Sequence, residues 1–588
     1  MESMRKYGRR PVLAGAALVA GGLLTGSLTA KAAAARSLGL DAGFPTPVPI
    51  DEITAGMTGT GLTVSRGVTP EAFTVTILGV LPDGIGPGVD MIVFEGASPA
   101  LDLAGGIWAG MSGSPVYAGD GRLIGAVAYG FTLAPSKVGG ITPAASMMEL
   151  LDSPVAVARV KAKRVPLPAS LQRTVVAKGK ATAAQAAGGL APLPIPLAVS
   201  GLTATRIDRL NADFERSGSP LRAYAGAAAP GTPADGGAIF AGSNFGAAIS
   251  YGDLTVAAIG TTTAVGNGTA LAFGHPMNFS GPSTMSAHQV NAIAVVKDET
   301  LGAFKMGTVG GVAGTIDQDR LVGLRARLGA GPRGQVPVTS NVRSGTAERS
   351  ATSRVTVSNF LPLVVGQQLL SNLDRIFDRI AAGRATVEWT IQGTRSNGSA
   401  WQLARSNRYA SRFDVSFESF GEVASQVATL LENDFTAVTI SNVALSATVE
   451  PEFGQYTVDK LQVLRDGKWV NLSEGQEVPV RPGQPLDLRV RLTAYRGSAR
   501  VVNVRLAVPA GTFDGGTLQI TGMAGALVEL PQPKSFSELL KQMRTAPHNN
   551  ELGVTLTLNR DAAESVVRRV VTLDEIVTGE LQFPVQTS

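Results

Sequence analysis

Short apolar runs broken by glycine dominate this chain and argue against any fold built on long helices. From about Thr46 to Leu151 they read GTGLTVSRG, EAFTVTILGVL, DMIVFEG, SPVYAG and RLIGAVAYG. Several alternate apolar and polar residues, which is the period of a half-buried strand, and glycine marks the turns between them. With 70 glycines, 16% charged residues and 5% aromatics over 588 residues, the expectation is a mainly β protein of several domains.

Composition also narrows the partners. The net charge of +5 is spread without a dense Lys/Arg block, so attraction to a phosphate backbone is weak and nucleic acid is not an expected partner. The absence of cysteine removes disulfides, zinc–thiolate sites and a cysteine nucleophile. His275, His288 and His548 are the only histidines, too few for a His-rich metal site. Neither a metal nor an organic cofactor is expected.

Residues 1–35 read as a secretory signal peptide. MRKYGRR supplies a basic start, PVLAGAALVAGGLLTGSLTA an apolar stretch, and Ala30-Lys31-Ala32 a small-x-small cleavage pattern. Arg9-Arg10 leaves Sec and twin-arginine export both open. The expected location is outside the cytoplasm, in the periplasm, the cell envelope or the medium, with membrane contact only through this segment if it stays uncleaved.

Residues 36–159 form a first β block, closed by a short helix in ITPAASMMELLD. Residues 160–201, rich in Ala, Lys and Pro and without strand periodicity, read as a long surface connection. A second β block covers 202–395 and includes DLTVAAIGTTTAV, TALAFGHPM, NAIAVVKD and RATVEWTIQG. Within it Leu369, Leu373, Ile376, Phe377 and Ile380 recur at helical spacing, which predicts a helix near 363–382 with Gly383 as its C-terminal cap. Residues 396–434 read as a linker with a helix in FESFGEVASQVATLLEND. From 435 to 588, strands at regular intervals suggest an accessory β-sandwich of immunoglobulin-like type. Its interruption, SFSELLKQM, is a helix with Ser535 and Glu538 in capping-box register.

The stretch from Gly105 to Gly130, GGIWAGMSGSPVYAGDGRLIGAVAYG, carries the chemistry. A serine hydroxyl attacks a carbonyl only when a base takes its proton and donors hold the oxyanion that forms. Glycine at 110 and 113 lets the backbone turn tightly around Ser112, so that the amides of Gly110 and Ser112 can share one small pocket as an oxyanion hole. Asp120-Gly121 then makes a hairpin turn that supports the serine. The bland alternative is a glycine-rich turn with incidental serines. For the base, the residues alone leave two candidates: His275, between Gly274 and Pro276 at the end of an apolar strand, and His288, which could equally be a satisfied polar residue on a strand.

Trypsin-like serine proteases carry a similar glycine-flanked serine with a Gly-x-Pro exit into a hairpin. More specifically, GGIWAGMSGSPVYAGDGRLIGAVAYGF resembles the catalytic-serine region of the SpoIVB peptidases. GTTTAVGNGTALAFGHPM resembles that family's histidine region, and AGTIDQDRLVGLRARLG a further shared segment. The resemblance spans roughly residues 46–392. It implies a trypsin-like double β-barrel in which Ser112 is the nucleophile, His275 the general base and Ser114 a structural neighbour.

Two departures accompany it. In the family the histidine precedes the serine, whereas here Ser112 comes first, so the chain order is rearranged. The family's aspartate shortly before the serine has no direct match, since Ser98 stands near that position. Asp102 is the candidate third residue, with Asp253 or a Ser-His dyad as alternatives. The implied activity is that of an exported serine endopeptidase acting through an acyl-enzyme on envelope or secreted proteins, or on itself within the Ala/Lys/Pro-rich connection. The competing readings are a catalytically inactive protease-fold protein that binds peptides or partner proteins, and a structural envelope protein whose two β blocks merely pack.

Overall fold

The computed structural model describes residues 43–131, 136–152, 164–216, 221–228, 239–297, 302–473, 475–527, 531–560 and 563–587. The expected signal peptide lies outside the described residues.

In the first block, strands β1 (Thr58–Thr63), β2 (Glu71–Gly86), β3 (Val89–Ala97), β4 (Pro115–Ala118), β5 (Leu123–Phe131) and β6 (Val138–Pro143) pair in the order β4-β1-β2-β3-β6-β5. Strand β5 pairs back onto β4 through Pro115↔Ala126 and Val116↔Gly125, which closes a six-stranded antiparallel barrel. Closure leaves none of the six with a free edge. The alternation read from the sequence fills the interior: Phe73, Val75 and Ile77 of β2 meet Ile92, Phe94, Val116, Ile124, Val127 and Ile141 in one buried cluster.

The second block contains a second ring of six strands. Asn244–Gly252 pairs with Gly281–Val296, then Phe304–Arg320, Gly323–Leu328, Thr269–Ala272 and Thr255–Gly266, which returns to Asn244–Gly252. From Asn244–Gly252 the sheet runs on through Ala347–Val355, Val336–Ser344, Val438–Glu450, Gly383–Arg395 and Ala400–Ser411. Helices Leu361–Phe377 and Gly421–Leu431 cover it with Leu369, Leu373, Val423 and Val427. Between the rings, Ala126, Met147 and Leu150 pack on Leu271 and Val322.

Besides the linker expected over 396–434, of which Ala400–Ser411 is a strand paired along its length with Gly383–Arg395, three expectations are corrected. The stretch 160–201 is more than a surface connection: among its described residues, helices Ala169–Ala177 and Ala183–Gly188 lay Val175 and Ala186 against Met91 and Val93 on the outside of the first barrel. Leu190–Pro192 then pairs with β5, and Ile195–Ser200 with Thr255–Gly266. The apolar residues that do this are small and widely spaced, so they left no periodic signal. Secondly, the long helix ends at Phe377, not near Gly383. Asp378 takes the left-handed conformation (φ +52°) and donates its amide to Asp374 O, while Gly383 opens the next strand. An aspartate tolerates that backbone where most residues do not.

Thirdly, the C-terminal unit does not begin at 435. Strand Val438–Glu450 lies between Gly383–Arg395 and Val336–Ser344 in the long sheet, since its buried Ile440, Val443, Leu445 and Ala447 belong to that sheet's core. The two five-stranded sheets after it start with Gln455–Arg465 and share one cluster that includes Leu461, Val490, Leu518 and Leu556. The helix Phe536–Thr545 leaves them to bury Phe536 and Leu540 in the core of the long sheet. Ser535 caps it by accepting from Glu538 N, and Glu538 accepts from Lys534 N.

One buried ion cluster ties the flank of the second block. Arg206, in helix Ala204–Arg216, reaches both carboxylate oxygens of Asp374 at 2.7 and 2.9 Å and both of Asp414 at 2.5 and 2.9 Å. Removing the buried guanidinium strands Asp374 without a counter-charge and leaves Asp414 with Arg209 alone, 3.8 Å away. Arg206→Ala is therefore expected to cost about 3–5 kcal/mol, read as a lower denaturant midpoint for loss of β-sheet circular dichroism.

Candidate active site

Ser112 sits in the turn between the short helix Pro99–Ala104 and β4. The turn depends on two glycines with positive φ, Gly110 (+101°) and Gly113 (+96°). At Gly113 a side chain is also sterically excluded, because a Cβ there would lie 1.9 Å from Thr261 O. The neighbour is Thr255–Gly266, a strand of the second ring. Its Thr261 N donates to Ser112 O at 2.8 Å, its Thr261 Oγ1 to Gly110 O at 3.0 Å, and its Thr263 Oγ1 to Gly113 O at 2.9 Å. The serine turn of one barrel is thus stitched to a strand of the other.

The same strand leads through a hairpin to His275. Phe273 (φ +70°) and Gly274 (φ +70°) are consecutive left-handed residues that swing the chain out of its strand; for a bulky residue such as Phe273 that backbone is strained. Thr142 of β6 donates to Gly274 O at 2.6 Å, so the first barrel holds the histidine loop in return.

The outcome is a contact between residues 163 apart in the chain: His275 Nε2 lies 2.8 Å from Ser112 Oγ. The other ring nitrogen, Nδ1, is 2.9 Å from Pro276 O. A carbonyl only accepts, so Nδ1 carries the proton and Nε2 presents its lone pair to the serine hydroxyl. This is the tautomer a general base requires. Burial pushes the His275 imidazole down to about 4, partly opposed by the Pro276 hydrogen bond, so the ring is neutral at pH 7. Among the described residues the amides of Met111, Gly113 and Ser114 are engaged with Trp108 O, Val127 O and Met111 O, whereas those of Gly110 and Ser112 have no such partner. The two donors expected of an oxyanion hole are unspent. Ser112 is only 4% exposed and His275 is fully buried.

The structure does not bring Asp102 to this pair. Its side chain is 61% exposed and forms an ion pair with Lys137; it lies in helix Pro99–Ala104, whose cap is Ser98. Asp253 bonds to Arg349 and Thr352 N instead. His288 is a satisfied strand residue, with Nε2 on Ser286 Oγ and Nδ1 on Gly310 O, both at 2.8 Å. Ser114 is fully buried behind Ser112.

Residues 45–148 match the family described as SpoIVB peptidase S55. Over this segment the chain is similar to the SpoIVB peptidases. The matched residues contain Ser112 and stop short of His275, so the resemblance read farther along, to residue 392, lies outside the match. No curated protein and no solved structure matches the chain. That similarity points to a serine peptidase, and hence to protein or peptide substrates.

Three contributors, Lys305, Thr261 and Thr263, are not among the residues singled out in the sequence. Lys305 is fully buried, donates to Asn244 Oδ1 at 2.9 Å and Thr261 Oγ1 at 3.4 Å, and is pushed down to about 7 by burial. Its stem underlies Gly110, where a Cβ would come within 2.7 Å of Lys305 Cβ. Nothing in FKMGT marks that role. Thr261 and Thr263 did leave a signal, the Gly-Thr-x-Thr pattern ahead of the histidine, though its purpose becomes visible only across the barrels.

Gly113→Ala is expected to abolish modification of Ser112 by a fluorophosphonate and to lower thermal stability, whereas Asp102→Asn should leave both within about twofold of the wild type, since a surface ion pair contributes about 0–1 kcal/mol. The depressed His275 pKa gives a pH signature. Between about 4 and 6.5 the folded chain binds fewer protons than the unfolded chain, so this residue's contribution to stability is complete above 6.5 and is lost as pH falls toward 4. The denaturant midpoint should fall over that window, and His275→Gln should flatten the dependence.

Proposed function

We propose that the chain is an exported serine endopeptidase of trypsin-like double-barrel type. Ser112 attacks a peptide carbonyl, His275 Nε2 takes its proton and returns it to the leaving amine, and the amides of Gly110 and Ser112 hold the oxyanion. Water then hydrolyses the acyl-enzyme. The observation that carries this reading is the 2.8 Å approach of His275 Nε2 to Ser112 Oγ, in the tautomer that accepts a proton and beside two unspent amides. The SpoIVB family segment and the two six-stranded rings support it. The site works as a dyad whose histidine is oriented by a backbone carbonyl, and the rearranged chain order is accommodated because the partners meet across the barrels.

Export rests on the signal-like residues 1–35, and the substrates proposed are envelope or secreted proteins or the chain itself. The C-terminal pair of sheets, read as an immunoglobulin-like sandwich, serves as an accessory recognition unit. A second reading, a protease-fold protein that binds peptides without cutting them, draws on two specific observations: no carboxylate touches the His275 ring among the described residues, and Ser112 is almost wholly enclosed.

Fluorophosphonate labelling decides between them. The peptidase reading expects labelling of the wild type that falls by roughly 10³-fold or more in both Ser112→Ala and His275→Ala. Labelling absent from all three, or equal in all three, favours the binder.

A further inference from the structure

Asp319 is fully buried in strand Phe304–Arg320 and points into the loop that follows His275. Its Oδ1 accepts from Met277 N at 2.9 Å; its Oδ2 accepts from Asn278 N at 2.8 Å, from Ser280 N at 3.3 Å and from Ser280 Oγ at 3.4 Å. Four donors converge on it, and among the described residues no cation is paired with it. The charged neighbours on its strand are engaged elsewhere, Asp317 with Arg325 and Arg327 and Arg320 with Gln318. Burial raises its pKa, but the converging donors favour the ionised form and oppose that shift.

The Met277 N–H that Asp319 binds and the Pro276 C=O that accepts from His275 Nδ1 belong to one peptide unit. A trans peptide is planar, with N–H and C=O pointing in opposite directions, and there is no cis bond among the described residues. Fixing the N–H on Asp319 therefore aims the carbonyl at the imidazole. A negative charge at the N–H end also polarises the amide, which makes the carbonyl oxygen a stronger acceptor.

We infer that Asp319 is the positioning residue of the Ser112–His275 pair, supplying through the Pro276–Met277 peptide the orientation and charge that a triad aspartate supplies directly. In the ground state the relay holds the Nδ1–H tautomer. When His275 Nε2 takes the Ser112 proton, the imidazolium donates more strongly to Pro276 O, and the charge at Asp319 stabilises it through the amide. No proton reaches Asp319. This rests on the peptidase reading for its catalytic consequence, while the hydrogen-bonded relay itself does not.

The test follows fluorophosphonate labelling against pH in the full chain, for wild type and Asp319→Asn, with thermal unfolding measured in parallel. A relay through one peptide is weaker than direct contact, so the loss should be on the order of 10- to 100-fold, below the roughly 10⁴-fold known for a directly bonded aspartate. The acid limb of the profile should also move to lower pH, because His275 loses stabilisation of its charged form. A carboxylate with a purely structural role would reduce the amplitude of labelling without moving the limb, and that outcome overturns the inference while leaving the peptidase reading intact. Wild-type protein without Ser112-dependent labelling overturns the peptidase reading instead. In that case, or if Asp319→Asn fails to fold, wild-type protein carrying ¹⁵N-methionine decides. The Met277 amide resonance, assigned through Met277→Leu, should titrate with the midpoint of the His275 ring, and a Met277 amide that stays still through that midpoint ends the proposal.

Discussion

Three hydrogen bonds from one strand to one turn organise this protein. Thr261 and Thr263 reach out of the second ring to the carbonyls of Gly110, Ser112 and Gly113 in the first. Each bond contributes on the order of 1 kcal/mol net, which is small against the burial around it. Their importance is geometric. They fix the serine turn relative to a strand that itself runs on to the histidine, so both reacting groups share one ruler. Thr142 closes the circuit from the other side by gripping Gly274. The space for this stitch exists because glycine occupies position 113, where any Cβ would meet the Thr261 carbonyl.

Around this contact the chemistry is arranged by subtraction of water more than by addition of charge. His275 and Lys305 are both enclosed, and both are driven toward their neutral forms by that enclosure. A neutral imidazole with its lone pair on Ser112 is ready as a base, and backbone carbonyls and amides supply the fixed partners. The buried carboxylate of Asp319 accepts from the amides of the loop after His275 and not from the ring.

Much of this was legible from residues alone, and the limits have physical causes. The glycine-punctuated alternation disclosed strands because a half-buried barrel wall leaves a period of two, as in Phe73, Val75 and Ile77. The serine turn was legible because positive φ at 110 and 113 demands glycine. His275 could be separated from His288 only by resemblance, since nothing local distinguishes a histidine that ends in a turn from one satisfied by Ser286 and Gly310. Asp102 is close to Ser112 in sequence, but the helix it sits on turns its carboxylate to solvent and Lys137. Asp319 lies within AGTIDQDRLVGLRARLG, yet three of its four donors are main-chain amides 39 to 42 residues away, and main-chain amides carry no residue-type signal. The boundary at 435 was misplaced for a related reason, since a strand's period does not say which sheet it joins.

The chain order has its own consequence. Ser112 precedes His275, and Asp319 follows later still, so during synthesis the alcohol leaves the ribosome long before the ring that would activate it. Domains fold largely as they emerge, and the strand pairings that close the first barrel lie entirely within residues 58–143. A half-made copy thus holds a closed first barrel whose Ser112 turn still lacks both the bonds from Thr261 and Thr263 and the imidazole of His275, all of which arrive with the second ring.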